Sequence, residues 1–168
     1  MNSYLGVDIS SLSYGKGFTF SQPFLIDQII QALGFDPKTT KVPTDNNPAG
    51  YPLLNKDENG PARKASWTYR CIIGMLGYFQ GTTRRNIAMA NHQCAIFHND
   101  TNLSHERRIN HINRYIMDTR DKVMIYIPET SRVLECYVDA DFAGRRKDGD
   151  HKSPESVLSR TGFVIMYA

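Results

Sequence analysis

The chain has 168 residues, 40% of them apolar and 22% charged, which excludes a disordered chain and fits one folded domain or two small ones. Twenty Lys and Arg against 17 Asp and Glu give a formal charge of +3, permitting a polyanionic partner without demanding one. No apolar run approaches the ~20 residues of a membrane span, and the start has no signal-peptide pattern. The expectation is therefore an intracellular protein, in cytoplasm or nucleus, with no membrane partner. Cys71, Cys94 and Cys136 are far apart and odd in number, with no CxxC. They read as reduced core cysteines, not as a zinc site or a disulfide framework. His92, Cys94 and His98 do not converge at helical spacing, so they make no zinc site either.

In chain order, residues 4–9 and 17–20 read as two short strands joined by turn-rich sequence, a β-hairpin. Ser21 is placed to cap a following helix with Pro23 in its first turn. Leu25, Ile26, Ile29, Ile30 and Leu33 form its apolar face, and Gly34 and Pro37 stop it. Residues 36–65 lose all periodicity and gather five prolines among Asn, Asp, Gly and Lys, the composition of an extended surface loop or linker.

Helical spacing returns at Ser66. Ile72, Ile73, Leu76 and Phe79 make one stripe, and Ile87, Ala90, Cys94 and Phe97 a second, separated by Gly81-Thr-Thr83. Ser104 is placed to cap a third helix with Ile109, Ile112 and Ile116 inward. Arg107, His111 and Arg114 fall on its opposite face. Residues 123–127 and 133–138 read as strands, followed by the charged loop Arg145-Arg-Lys-Asp-Gly-Asp-His-Lys152 and an apolar strand at 162–167. Leu134, Cys136 and Val138 alternate as in a buried strand, which runs into Asp139 and Asp141. Carboxylates at a strand end commonly hold a divalent metal, and more commonly serve in a turn.

Several of these segments, in order and spacing, resemble copia-type retrotransposon polyproteins, from the later part of reverse transcriptase into ribonuclease H. The residues that carry the resemblance are Tyr4-Leu-Gly-Val-Asp-Ile9, Phe20-Ser-Gln-Pro-Phe-Leu-Ile-Asp-Gln-Ile-Ile-Gln-Ala-Leu-Gly34 and Trp67-Thr-Tyr-Arg-Cys-Ile-Ile-Gly-Met-Leu-Gly-Tyr78. They continue in Asn91-His-Gln-Cys-Ala95, Arg114-Tyr-Ile116, Thr119-Arg-Asp121, Tyr137-Val-Asp-Ala-Asp-Phe-Ala-Gly144 and Ser159-Arg-Thr-Gly-Phe163. The sequence departs from the family in two places. Thr83-Arg-Arg-Asn-Ile87 stands for the usual Thr-Arg-Pro-Asp-Ile, and Asp118-Thr119 for Gly-Thr. The first change weakens a turn or cap, and the second is expected to strain a helix end.

The resemblance implies a mixed α/β chain in three parts. Residues 1–20 would end the reverse transcriptase palm as the primer-grip hairpin, with Leu5 and Gly6 on its nucleic-acid strand. Residues 21–122 would be the helical thumb and connection, with the Pro-rich linker at 36–65. Residues 123–168 would be a truncated ribonuclease H-like sheet. The implied partners are an RNA–DNA hybrid or primer–template and the rest of the polyprotein. The thumb holds phosphates, for which Arg70, Arg84, Arg85, Arg107 and Arg114 are the candidate side chains. Asp139 would match the first ribonuclease H carboxylate, with Asp141 a weaker metal ligand. The parent enzyme's Mg²⁺ needs more oxygen ligands than these two aspartates supply. The fragment alone is then expected to be inactive and to bind no metal tightly, with residues 123–168 frayed. The alternatives are a retained nucleic-acid-binding module and a free-standing metal-dependent hybrid ribonuclease built on Asp139.

Overall fold

The structure, a computed structural model, describes residues 2–13, 15–34, 43, 54–128, 135–141 and 160–166. It is mixed α/β and divides into two compact units, Met1–Tyr126 and Ile127–Ala168. The first unit holds an antiparallel sheet of β1 (Asn2–Tyr4), β2 (Val7–Ser11), β3 (Phe18–Ser21) and β4 (Met124–Tyr126), side by side in that order. Its helices are α1 (Pro23–Leu33), α2 (Tyr69–Thr82), α3 (Ala88–Ala95) and α4 (Leu103–Asp118), with one 3-10 turn at Arg85–Ile87.

The strand expected over residues 4–9 is two strands. Leu5 and Gly6 form the turn between them, with φ of 50° and 76°, and Tyr4 pairs with Val7. Two successive positive φ angles give a two-residue turn whose twist suits paired strands. A leucine in that position carries no turn signal, so alternation alone ran straight through it. The strand expected over 123–127 was assigned to the C-terminal unit. It pairs instead with β3, Met124 opposite Phe20 and Tyr126 opposite Phe18. Alternation explains the docking: Met124 joins Ile9 and Phe20 on one sheet face, leaving Ser10 and Thr19 on the other.

Pro23 opens α1, where its missing N–H leaves nothing unsatisfied, and Gly34 closes it at φ 87° with its amide on the Ile30 carbonyl at 2.8 Å. Ser21 is not the cap; it remains in β3 opposite Asp8, and Gln22 takes the cap position. Likewise α4 begins at Asn102, not Ser104, with the Asn102 amide donating to His105 Nδ1 at 2.9 Å. The helices bury one core of Ile26, Ile29, Ile72, Leu76, Phe79, Ile87, Ala90, Cys94, Phe97, Ile109, Ile112 and Ile116. These are residues of the three expected stripes and the α1 face, and each Ile, Leu or Phe among them contributes roughly 1.5–3 kcal/mol by its removal from water. Ile73 sits at the edge, half-buried.

The described end of the Pro-rich segment does not hang free. Leu54 is buried, and His105 Nε2 donates to the Asn55 carbonyl at 2.9 Å. The Leu103 amide donates to the Pro61 carbonyl at 2.9 Å. Glu106, in the first turn of α4, accepts the Lys64 and Ala65 amides at 2.9 Å each. Residues 54–65 therefore satisfy backbone groups at a helix N-terminus, where an acidic side chain is also favoured. The rest of that segment, save Pro43, lies outside the described residues.

In the second unit β5 (Glu135–Asp141) and β6 (Arg160–Met166) pair antiparallel, from Glu135 opposite Met166 to Asp141 opposite Arg160. The strand does not have the burial its alternation suggested: Val138, Phe163 and Ile165 are 68%, 69% and 58% exposed. Cys136 and Cys71 are also exposed, so of the expected core cysteines only Cys94 is one. Leu134, the 145–152 loop, Ser159 and Tyr167 lie outside the described residues.

Candidate nucleic-acid interface

Leu5 and Gly6, the candidate contact residues of the first unit, stand at an exposed hairpin tip. An added Cβ at Gly6 would meet nothing within 4 Å, so the glycine is required by its φ of 76° and not by crowding. Leu5 holds φ 50°, costly for a residue with a Cβ. The tip overhangs an apolar groove of about 350 Å³, whose walls are Tyr4, Val7, Ile9, Phe20 and Met124 of the sheet and Tyr78 and Thr82 of α2. Across this groove the Tyr78 hydroxyl donates to the Leu5 carbonyl.

The candidate arginines separate into two classes. Arg70, Arg85 and Arg107 are exposed, Arg114 is half-buried, and Arg70 donates to the Asn99 side chain. Arg84 is different, being only 3% exposed. Its Nη1 donates to the Thr119 carbonyl at 3.0 Å, Nη2 to Thr119 Oγ1 at 2.5 Å and Nε to Asn86 Oδ1 at 3.3 Å. Its guanidinium also lies 5.5 Å from the ring centres of both Phe79 and Tyr115. With its donors turned into the protein, Arg84 is a structural joint and not a phosphate contact.

That joint belongs to a set of buried polar links. Gln22 Oε1 accepts the Thr83 hydroxyl at 2.8 Å and that of Thr82, tying the start of α1 to the end of α2. Asn91 of α3 donates to Gln80 of α2 at 3.0 Å, and Asn113 of α4 to the Gly34 carbonyl at 3.1 Å. Tyr69 reaches from α2 to the Cys94 carbonyl at 3.2 Å, its phenol pKa raised by burial. Burial likewise pushes the Cys94 thiol up to about 12, leaving it protonated and inert. Thr119 closes α4 at φ −117° and Asp118 ends it helically, so the strain expected from the missing glycine is absent.

Asp139 lies on β5 opposite Gly162, exposed. Asp141 ends the same strand opposite Arg160. A magnesium pair needs a convergent cluster of carboxylates. Among the described residues no three His, Cys, Asp or Glu side chains come together. No described helix is long and apolar enough to cross a membrane.

Sequence reasoning missed Tyr78, Glu106 and His105 as organising residues. Tyr78 lies in a quoted motif, though nothing in helical periodicity says what its hydroxyl meets. His105 stands three residues after its cap, where the usual signal is Glu or Gln. Comparison with protein-family models, curated proteins and solved structures returned no match to this chain.

Proposed function

We propose that this chain is the primer–template-holding part of a copia-type retrotransposon reverse transcriptase, continuing into the start of ribonuclease H. One observation carries the reading. Gln22, Tyr69, Asn91 and Thr119 come from stretches that carry the resemblance, Thr83 and Arg84 from the stretch that departs from it at its third and fourth residues, and all are buried. They join the helices to one another, Gln22 to Thr83 and Arg84 to Thr119 directly. A chance resemblance would scatter such residues over the surface. Buried polar groups call for partners, and the Tyr69 hydroxyl on the Cys94 carbonyl joins two of the stretches that carry the resemblance, which a shared fold would produce.

On this reading the work is done by the Leu5-Gly6 tip, the exposed Arg70 and Arg107 and the half-buried Arg114. Contacts of this kind hold phosphates, position the duplex and read no sequence. Arg84 serves by keeping α4 in place, which sets where Arg107 and Arg114 stand. The partner is an RNA–DNA hybrid or primer–template in an intracellular polyprotein, and Mg²⁺ belongs to the parent enzyme's chemistry. Asp139 would be one contributor to that chemistry and is not an active site by itself.

The test is fluorescence anisotropy of a labelled RNA–DNA hybrid titrated with the full chain over a salt series. Binding should weaken steeply with salt, and each of Arg107→Ala and Arg114→Ala should flatten the log–log slope by about 1. A chain that fails to bind at about 50 mM salt defeats the reading, because counterion release makes such binding strongest there.

A further inference from the structure

Among the described residues only Leu5 and Asp57 combine a side chain with a positive φ. Leu5 is the one presented at a hairpin tip, 71% exposed. Beneath it lies the apolar groove of about 350 Å³, so the tip is not propped from below. The pairing of Tyr4 with Val7 closes the turn, and its outer carbonyl, that of Leu5, accepts the Tyr78 hydroxyl, 73 residues away on α2. Tyr78 itself is 43% exposed, and its ring forms part of the groove wall.

We propose that Tyr78 is a positioning residue: its hydroxyl holds the Leu5-Gly6 turn in the conformation that meets the nucleic-acid backbone. This rests on the reading of the tip as a duplex contact. The physical content is preorganisation. A leucine that must adopt positive φ loses conformational freedom when the duplex binds, unless something has fixed it beforehand. Tyr78 does so from a helix anchored in the core by Ile72, Leu76 and Phe79. An Asn-Gly turn would need no such support, since asparagine takes positive φ readily.

The experiment is a double-mutant cycle on the full chain with Tyr78→Phe and Leu5→Asn. It is read by amide hydrogen exchange at residues 5–7 and by affinity for the labelled hybrid. Tyr78→Phe should speed exchange at the tip by about tenfold and weaken binding by about three- to tenfold, with the Trp67 unfolding midpoint unchanged. In the Leu5→Asn background the same hydroxyl deletion should alter neither readout, a rescue that a general packing role for the tyrosine would not give. Unchanged exchange in Tyr78→Phe overturns the proposal, as does faster exchange with unaltered affinity. A wild-type chain that does not bind hybrid removes the functional reading and the positioning role together. Tip exchange still separates that outcome from failure of the latch.

Discussion

The helical part of the first unit and the β5–β6 ribbon of the second have similar apolar patterning and opposite fates. Along α2, Ile72, Leu76 and Phe79 recur at helical spacing and are at most 1% exposed. Along β5, Cys136 and Val138 alternate as regularly, and Val138 is 68% exposed. Periodicity states which side of an element is apolar, and burial requires a second apolar surface to meet it. Each of the four helices finds such surfaces on its neighbours. A two-stranded ribbon has two faces and can cover neither, which is why isolated ribbons are marginal in water.

The comparison breaks most sharply under truncation of a large side chain in each region. Phe79→Ala empties a fully buried site and should cost about 3–5 kcal/mol, read from urea unfolding followed by Trp67, the one tryptophan. Phe163→Ala, at a residue 69% exposed, should shift stability by less than about 0.5 kcal/mol. Equal costs at the two positions would mean that the ribbon has a partner surface and that the contrast is mistaken.

A smaller loss is expected at Glu106, which sharpens the comparison by testing polar joints in place of apolar ones. It is 8% exposed and accepts two backbone amides from residues 64 and 65. Glu106→Ala leaves those two amides without their acceptor and removes the carboxylate that lies 3.9 Å from Arg63 Nε. The expected loss is about 2–3 kcal/mol in the same urea assay, with Glu106→Gln losing less because its amide oxygen still accepts. No loss in the alanine variant would show that the Glu106 carboxylate does not hold residues 64 and 65.

How much of this was legible follows the same division. The helices and their buried stripes could be read because 3.6-residue spacing is a strong signal over ten or more residues, as at Ile109, Ile112 and Ile116. Helix starts were misplaced by a residue or two, because Ser21 and Ser104 are good cap types that the chain did not use. Leu5 as a turn was illegible, since its conformation is imposed by pairing of the flanking strands and not by its own preference. Arg84 was read as a phosphate contact because the resemblance implies a basic thumb. Its burial depends on Thr119, 35 residues along the chain, a distance no local pattern spans. Asp139, expected just past the end of a strand at 133–138, lies within β5 two residues before its end, and the resemblance alone assigned it a role.

A gain smaller than either of those losses is expected at residue 86, where asparagine stands in place of the aspartate usual in the resembling family. Arg84 is buried with Asn86 Oδ1 on its Nε at 3.3 Å. Among the described residues no carboxylate pairs with it. A buried guanidinium held only by neutral acceptors retains part of its desolvation cost, and an adjacent carboxylate would offset that cost. Asn86→Asp keeps the side-chain shape and supplies the charge at an exposed position, where the aspartate itself pays little to be ionised. The variant should be more stable by about 1 kcal/mol at neutral pH, and the gain should vanish when Arg84 is changed to Lys, which lacks the forked donor geometry. Asn86 also donates to the Tyr115 hydroxyl, and an aspartate would instead accept from it, so that contact survives with its polarity reversed. A destabilised Asn86→Asp chain would mean that the Tyr115 contact outweighs the ion pair. The helical unit would then already be at its best with the residue it has.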